Sequence, residues 1–187
     1  MNLTLSDSWR LAVGATLACG AILLPSAALA ASSAPATVPR CAAASLLVWA
    51  GPGQGAAGSV ADEFGFTNRS ASTCSLYGYP LVQMLNKSGK NLSTSDQKAP
   101  GAFSIHEKTV VLAPGKTAYF GVMYASQTGY ANLICPTSAA LRFTPPHDAG
   151  TVTLHGSHAQ ITPYGGTTQH LKCGIVHLTP VTANRFQ

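Results

Sequence analysis

The chain has 187 residues, 46% of them apolar and only 9% charged, against ~25% charged in an average globular domain. Eleven Lys and Arg against six Asp and Glu leave a net charge of +5, and the bases Lys87, Lys90, Lys98, Lys108 and Lys116 are scattered rather than clustered. So much apolar residue excludes a disordered chain, and the lack of a basic helix or an aromatic RNA-binding motif argues against a nucleic-acid partner.

The amino terminus reads as a signal peptide over residues 1–30. Arg10 supplies the positive region, "LAVGATLACGAILL" the apolar stretch, Pro25 its break, and Ala28 and Ala30 the small-residue pattern for cleavage between Ala30 and Ala31. The apolar stretch is short and interrupted by glycine, so no transmembrane segment is expected after processing. Cys19 in "TLACG" marks the alternative, a lipid anchor, although Thr16 stands where such a site usually has Leu or Val. Removal takes one base, Arg10, and one acid, Asp7, so the charge stays at +5. Residues 31–40, "ASSAPATVPR", are a flexible lead-in, and residues 41–187 are long enough for one domain with its own core.

Within that domain helix signals are scarce and strand signals recur. Strands are predicted over residues 44–50, 58–68, 76–86, 103–112, 116–124, 139–145, 150–162 (broken near Gly156) and 174–181, with turns at "NRSAST", "NKSGKN", "APGK" and "PPHDAG". Around the Pro114-Gly115 turn, Ala118, Phe120, Val122 and Tyr124 alternate with more polar positions and form the expected core face. Seven to eight such strands predict an all-β fold, an antiparallel, immunoglobulin-like β-sandwich.

One motif points elsewhere. Gly53, Gly55 and Gly58 spell the G-x-G-x-x-G of a dinucleotide-binding turn. That turn needs a helix after the last glycine and an acid about twenty residues on. Here "SVADEFGFTN" reads as a strand, and Gly78 and Tyr79 stand where the acid belongs. The glycines are therefore assigned to a hairpin loop, and no cofactor is expected.

Cys41, Cys74, Cys135 and Cys173 remain after processing, an even number that suits disulfides in an exported chain. If the second strand returns beside the first, Cys74 arrives near Cys41; the predicted pairs are Cys41–Cys74 and Cys135–Cys173. No C-x-x-C spacing supports zinc, and a bridged Cys173 near His177 would be no nucleophile.

The segments "CAAASL", "GPGQGAAGSV", "NRSASTCSLYGYPLV" and "LAPGKTA" resemble the DUF4232 family, secreted or lipid-anchored actinobacterial proteins of undefined function. The resemblance spans about residues 41–181, and it implies an extracytoplasmic β domain with these four cysteines and no active site to carry over.

Other constellations are sparse. His155 and His158 are the nearest pair of histidines, with Asp148 the one acid near them; positions i and i+3 of a regular strand face opposite sides. Asp62 and Glu63 are adjacent and would also diverge, which suits paired acid–base work poorly. Tyr77, Tyr79, Tyr119, Tyr124 and Tyr130 are candidates for a glycan- or protein-binding surface. Asn68, Asn86 and Asn91 each open an N-x-S triplet and are expected in exposed loops. The expected function is that of a non-enzymatic secreted or cell-envelope domain binding an envelope polymer or protein. The alternatives are an extracytoplasmic copper- or zinc-binding protein using His155 and His158, and a hydrolase of unrecognised type.

Overall fold

A computed structural model describes residues 37–56, 58–99, 105–125, 136–155 and 174–186, all within one compact unit, Thr37–Gln187. A single 3₁₀ turn, Ala43–Ser45, precedes ten strands among the described residues. These are β1 (Leu46–Ala56), β2 (Ser59–Asn68), β3 (Cys74–Leu76), β4 (Leu81–Leu85), β5 (Ser95–Lys98), β6 (Val110–Leu112), β7 (Thr117–Ala125), β8 (Ala140–Thr144), β9 (Val152–His155) and β10 (Ile175–Leu178). They form a five-stranded sheet in the order β1-β2-β7-β10-β5, a β3-β6 pair and a β4-β8-β9 sheet. The protein is thus all-β, with antiparallel sheets in a sandwich-like arrangement. The one departure among the named strands is β5, which runs parallel to β10.

Alternation builds the core. Ala118, Phe120, Val122 and Tyr124 of β7 are all buried, as the sequence pattern predicts, and their strand neighbours are half-exposed. Phe64 and Phe66 of β2 stack on Phe120 at 5.8 and 4.8 Å, and Phe143 of β8 meets Phe120 edge-on at 5.5 Å. One aromatic cluster therefore joins the five-stranded sheet to the β4-β8-β9 sheet. Cys74, Leu76, Val110 and Leu112 of the β3-β6 pair extend the same core.

Several expected boundaries are corrected. The run 76–86 divides into β3 and β4, which lie in different sheets, because Gly78 turns the chain at φ 94° and Pro80 follows it. Residues 105–109 are not strand, so the element expected over 103–112 shrinks to β6. The polar strand β5 was not foreseen at all. The strand expected to end at residue 50 runs on to Ala56: Gly53 and Gly55 pair with Asp62 and Val60, after a register shift between Ala50 and Gly53. These glycines are strand, not loop, and only Gly58, at φ 86°, belongs to the turn. A strand–turn–strand path offers no helix N-terminus to a pyrophosphate. Asn68 is also not in an exposed loop. It is fully buried, and its Nδ2 donates to the carbonyls of Ser72 and Leu112 at 2.8 and 2.9 Å.

Two carboxyls stand on the inward side of the large sheet. Asp62 is 2% exposed and accepts the Tyr124 hydroxyl at 3.0 Å; burial pushes its pKa up to about 6, against the pull of that hydrogen bond. Asp96 of β5 accepts the Val82 amide of β4 at 3.1 Å, joining two sheets, and burial likewise raises it to about 6. Both groups bind a proton more readily folded than unfolded, where the carboxyl pKa is 3.8. Stability should accordingly rise as pH falls from about 7 to about 4, by on the order of 2–3 kcal/mol for Asp62 and less for the part-exposed Asp96. Asp148 works the other way. The Gly150 and Ala43 amides lower its pKa, so its contribution is lost in stronger acid. Urea denaturation at a series of pH values should show a maximum near pH ~4–5, and Asp62→Asn should flatten the slope above it.

Candidate functional site

A concavity lies on the outward side of the β3-β6 pair. Cys74 and Leu76 point inward, so Ser75 between them points out. The lead-in strand runs parallel to β3 through the Arg40–Ser75 bridge: Cys41 donates its amide to the Ser75 carbonyl at 3.0 Å, and Ser75 donates to the Pro39 carbonyl at 2.8 Å. From the opposite side the β8–β9 turn brings in Pro146 and His147. A cavity of about 270 Å³ lies between them, lined by Val38, Arg40, Ser75, Tyr77, Thr109, Pro146 and His147.

Tyr77 is 45% exposed, and its ring lies near-parallel to that of His147, at 17° with centroids 6.1 Å apart. His147 is the one non-glycine residue at positive φ, 59°, among the described residues. Such a conformation costs ~1–2 kcal/mol and persists where its surroundings over-determine it. The surroundings are specific here. Asp148, next in the chain, accepts the Gly150 amide at 3.0 Å and also the Ala43 amide, pinning the turn to the segment just before β1. On the other wall the Cys41–Cys74 disulfide closes directly behind Arg40 and Ser75, with Cα atoms 4.9 Å apart. Both walls of the groove are therefore fastened before any ligand arrives.

The lining combines a ring platform, one guanidinium, two hydroxyls and apolar flanks from Val38 and Pro146. Rings present flat apolar area to a sugar or planar group, Arg40 offers an anion its fork of donors, Thr109 offers a hydroxyl, and the Ser75 hydroxyl, which donates to the Pro39 carbonyl at 3.2 Å, can accept. Glu107, which reaches Gly78 beside His147, is paired with Lys98 at 3.3 Å, and Lys98 lies 4.4 Å from the centre of the Tyr79 ring.

The other candidates disperse. His155 is exposed at the end of β9, and Asp148, the acid considered beside it, already holds two amides. His158, Tyr130, Cys135, Cys173, Cys19, Ala30 and Ala31 lie outside the described residues. Among the described residues no three His, Cys, Asp or Glu side chains gather where they could hold a metal. Asp62 and Glu63 do face opposite sides: one meets Tyr124 in the core, the other Arg185 on the outer face. Of the tyrosines, Tyr124 is buried and Tyr119 meets Trp49 edge-on at 5.9 Å, which leaves Tyr77 in the groove. The sequence reading missed Arg40 and His147. The one available signal was the "PPHD" turn, whose position opposite β3 depends on contacts across a hundred residues.

Among the described residues no helix is long and apolar enough to cross a membrane. No curated protein and no solved structure matches the chain. The family model for a domain of unknown function, DUF4232, matches residues 41–182, from the first bridged cysteine to the end of the segment that pairs with β7, and the chain belongs to that family.

Proposed function

We propose that this is a non-enzymatic extracytoplasmic domain that binds an acidic saccharide of the cell envelope in the groove between Arg40, Tyr77 and His147. The observation that carries the proposal is the exposed Tyr77–His147 ring pair beside a guanidinium, on walls held by a disulfide and by Asp148. A preformed site loses little entropy on binding, and a ring platform with one anion contact suits a pyranose bearing a carboxylate. The Cys41–Cys74 bridge and the signal-like leader support an oxidising compartment. The net charge of +5 favours encounter with an anionic polymer.

The non-enzymatic part rests on the carboxylates. After residue 30 the chain has Asp62, Glu63, Asp96, Glu107 and Asp148, and each one is engaged by a neighbouring side chain or amide. A β-carbon on Gly78 would lie 3.5 Å from His147 Nε2 and 3.6 Å from Glu107 Oε2, and the other Glu107 oxygen is held by Lys98. Titration with a uronic-acid oligosaccharide should show saturable, salt-sensitive binding, and a neutral oligosaccharide of equal length should bind more weakly. Tyr77→Ala and Arg40→Ala should each weaken binding by about tenfold, equivalent to ~1.4 kcal/mol. Equal binding of the acidic and neutral saccharides, or indifference to both substitutions, would remove the groove from consideration.

A further inference from the structure

A second feature, independent of the groove, lies on the outer face of the five-stranded sheet. Beyond β10 the chain continues beside β7, where Tyr119 and Thr182 exchange both backbone hydrogen bonds at 2.8 Å. It then reverses, with the Asn184 amide donating to the Thr182 hydroxyl at 3.4 Å, and Arg185 and Phe186 lie against the sheet.

Glu63 receives them. Although it faces outward from β2, it is only 5% exposed. Its Oε1 accepts from Nε and from one terminal nitrogen of Arg185, both at 2.8 Å, and its Oε2 accepts the Phe186 amide at 2.8 Å. The guanidinium carbon stands 5.5 Å from the centre of the Trp49 ring and 5.9 Å from that of Tyr119. The Phe186 ring rests over Gly121, where a β-carbon would be 3.7 Å from Cζ. Trp49 reaches its place because Gly65 carries no side chain: a β-carbon there would sit 2.6 Å from the indole nitrogen.

We propose that Glu63, Trp49 and Tyr119 form a recognition site for an arginine followed by an aromatic residue, filled here by the chain's own Arg185-Phe186 and able to take the same dipeptide from an extended segment of a partner protein. Three observations carry this. First, the carboxylate reads a peptide and not merely a cation, because one oxygen takes a guanidinium and the other the next backbone amide. A lysine has no planar fork to repeat the first contact. Second, the receptor side chains lie inside the family-matched region, residues 41–182, and the occupant lies beyond its end. Third, the occupant sits on top of the sheet with the Arg185 side chain 52% exposed, so it can lift away without opening the core. Withdrawal leaves the Glu63 carboxylate without its guanidinium and without the Phe186 amide, free to accept the same donors from another chain.

The test uses an acetylated peptide copying residues 182–187, Thr-Ala-Asn-Arg-Phe-Gln, and two variants with Lys or Ala in place of Arg. The chain truncated after Thr182 should bind the Arg peptide, and the full-length chain should bind it at least about tenfold more weakly because its own tail competes. The Ala peptide should lose at least about tenfold in affinity, the Lys peptide should fall well below Arg, and Glu63→Gln in the truncated chain should abolish binding. If truncation prevents folding, the full-length Arg185→Ala/Phe186→Ala variant is titrated in its place. No binding to the emptied site, or equal binding of the Arg, Lys and Ala peptides, would overturn the proposal.

Discussion

Phe120→Ala is expected to destabilise the domain by about 3–5 kcal/mol, a large share of the ~5–15 kcal/mol that holds a typical domain together. Phe120 is fully buried at the middle of β7 and touches Phe64, Phe66 and Phe143. Truncation removes the ring on which both β2 aromatics stack and the contact that joins the large sheet to β8. The three remaining rings belong to strands whose register is set by backbone pairing on both sides, so they collapse poorly into the space. Leu47→Ala is the matched control. Leu47 is 45% exposed on β1, and its loss should shift stability by less than about 1 kcal/mol. Urea midpoints for the two variants, at unchanged slope, decide the matter.

The Cys41→Ser/Cys74→Ser variant should lose about 3–4 kcal/mol, the loop-closure entropy of a cross-link over 33 residues. The bridge links the lead-in segment to β3, and β1 and β2 lie in the loop between them. Without it, one groove wall is held only by hydrogen bonds, those of the backbone and those from the Ser75 hydroxyl to the Val38 and Pro39 carbonyls. The variant should therefore lose saccharide affinity together with stability. Asp62→Asn, which touches neither wall, should change the pH dependence of stability and leave binding intact. Comparing the two variants separates a weakened fold from a loosened site.

Legibility in the sequence followed local period. β7 declares itself because buried apolar residues alternate along its length, and β8 does so over residues 141–144, whereas β2 is buried on both faces at its middle and shows through Val60, Phe64 and Phe66 on the core side. β5 does not, since "SDQK" has no apolar face and its place is set by parallel pairing to β10, nearly eighty residues later in the chain. The division of "CSLYGYPLVQML" between two sheets turns on Gly78 at positive φ, where a continuous apolar run conceals a change of layer. The cysteine pair was legible from the return of β2, though its partner strand is β3 of the second layer. The groove was half-legible: Tyr77 stood among the candidate tyrosines, but its neighbours Arg40 and His147 come from segments more than a hundred residues apart in the chain. Glu63 and Arg185, 122 residues apart, left no local sign of each other.

Amide chemical-shift mapping by NMR, during titration with a uronic-acid oligosaccharide, tests the assignment of the groove most directly. Saturable shifts are predicted for Arg40, Ser75, Tyr77, Thr109 and His147, with Glu63, Trp49 and Tyr119 on the outer sheet face unmoved. Saturable shifts confined to residues outside the groove, or no saturable shifts at all, would contradict it.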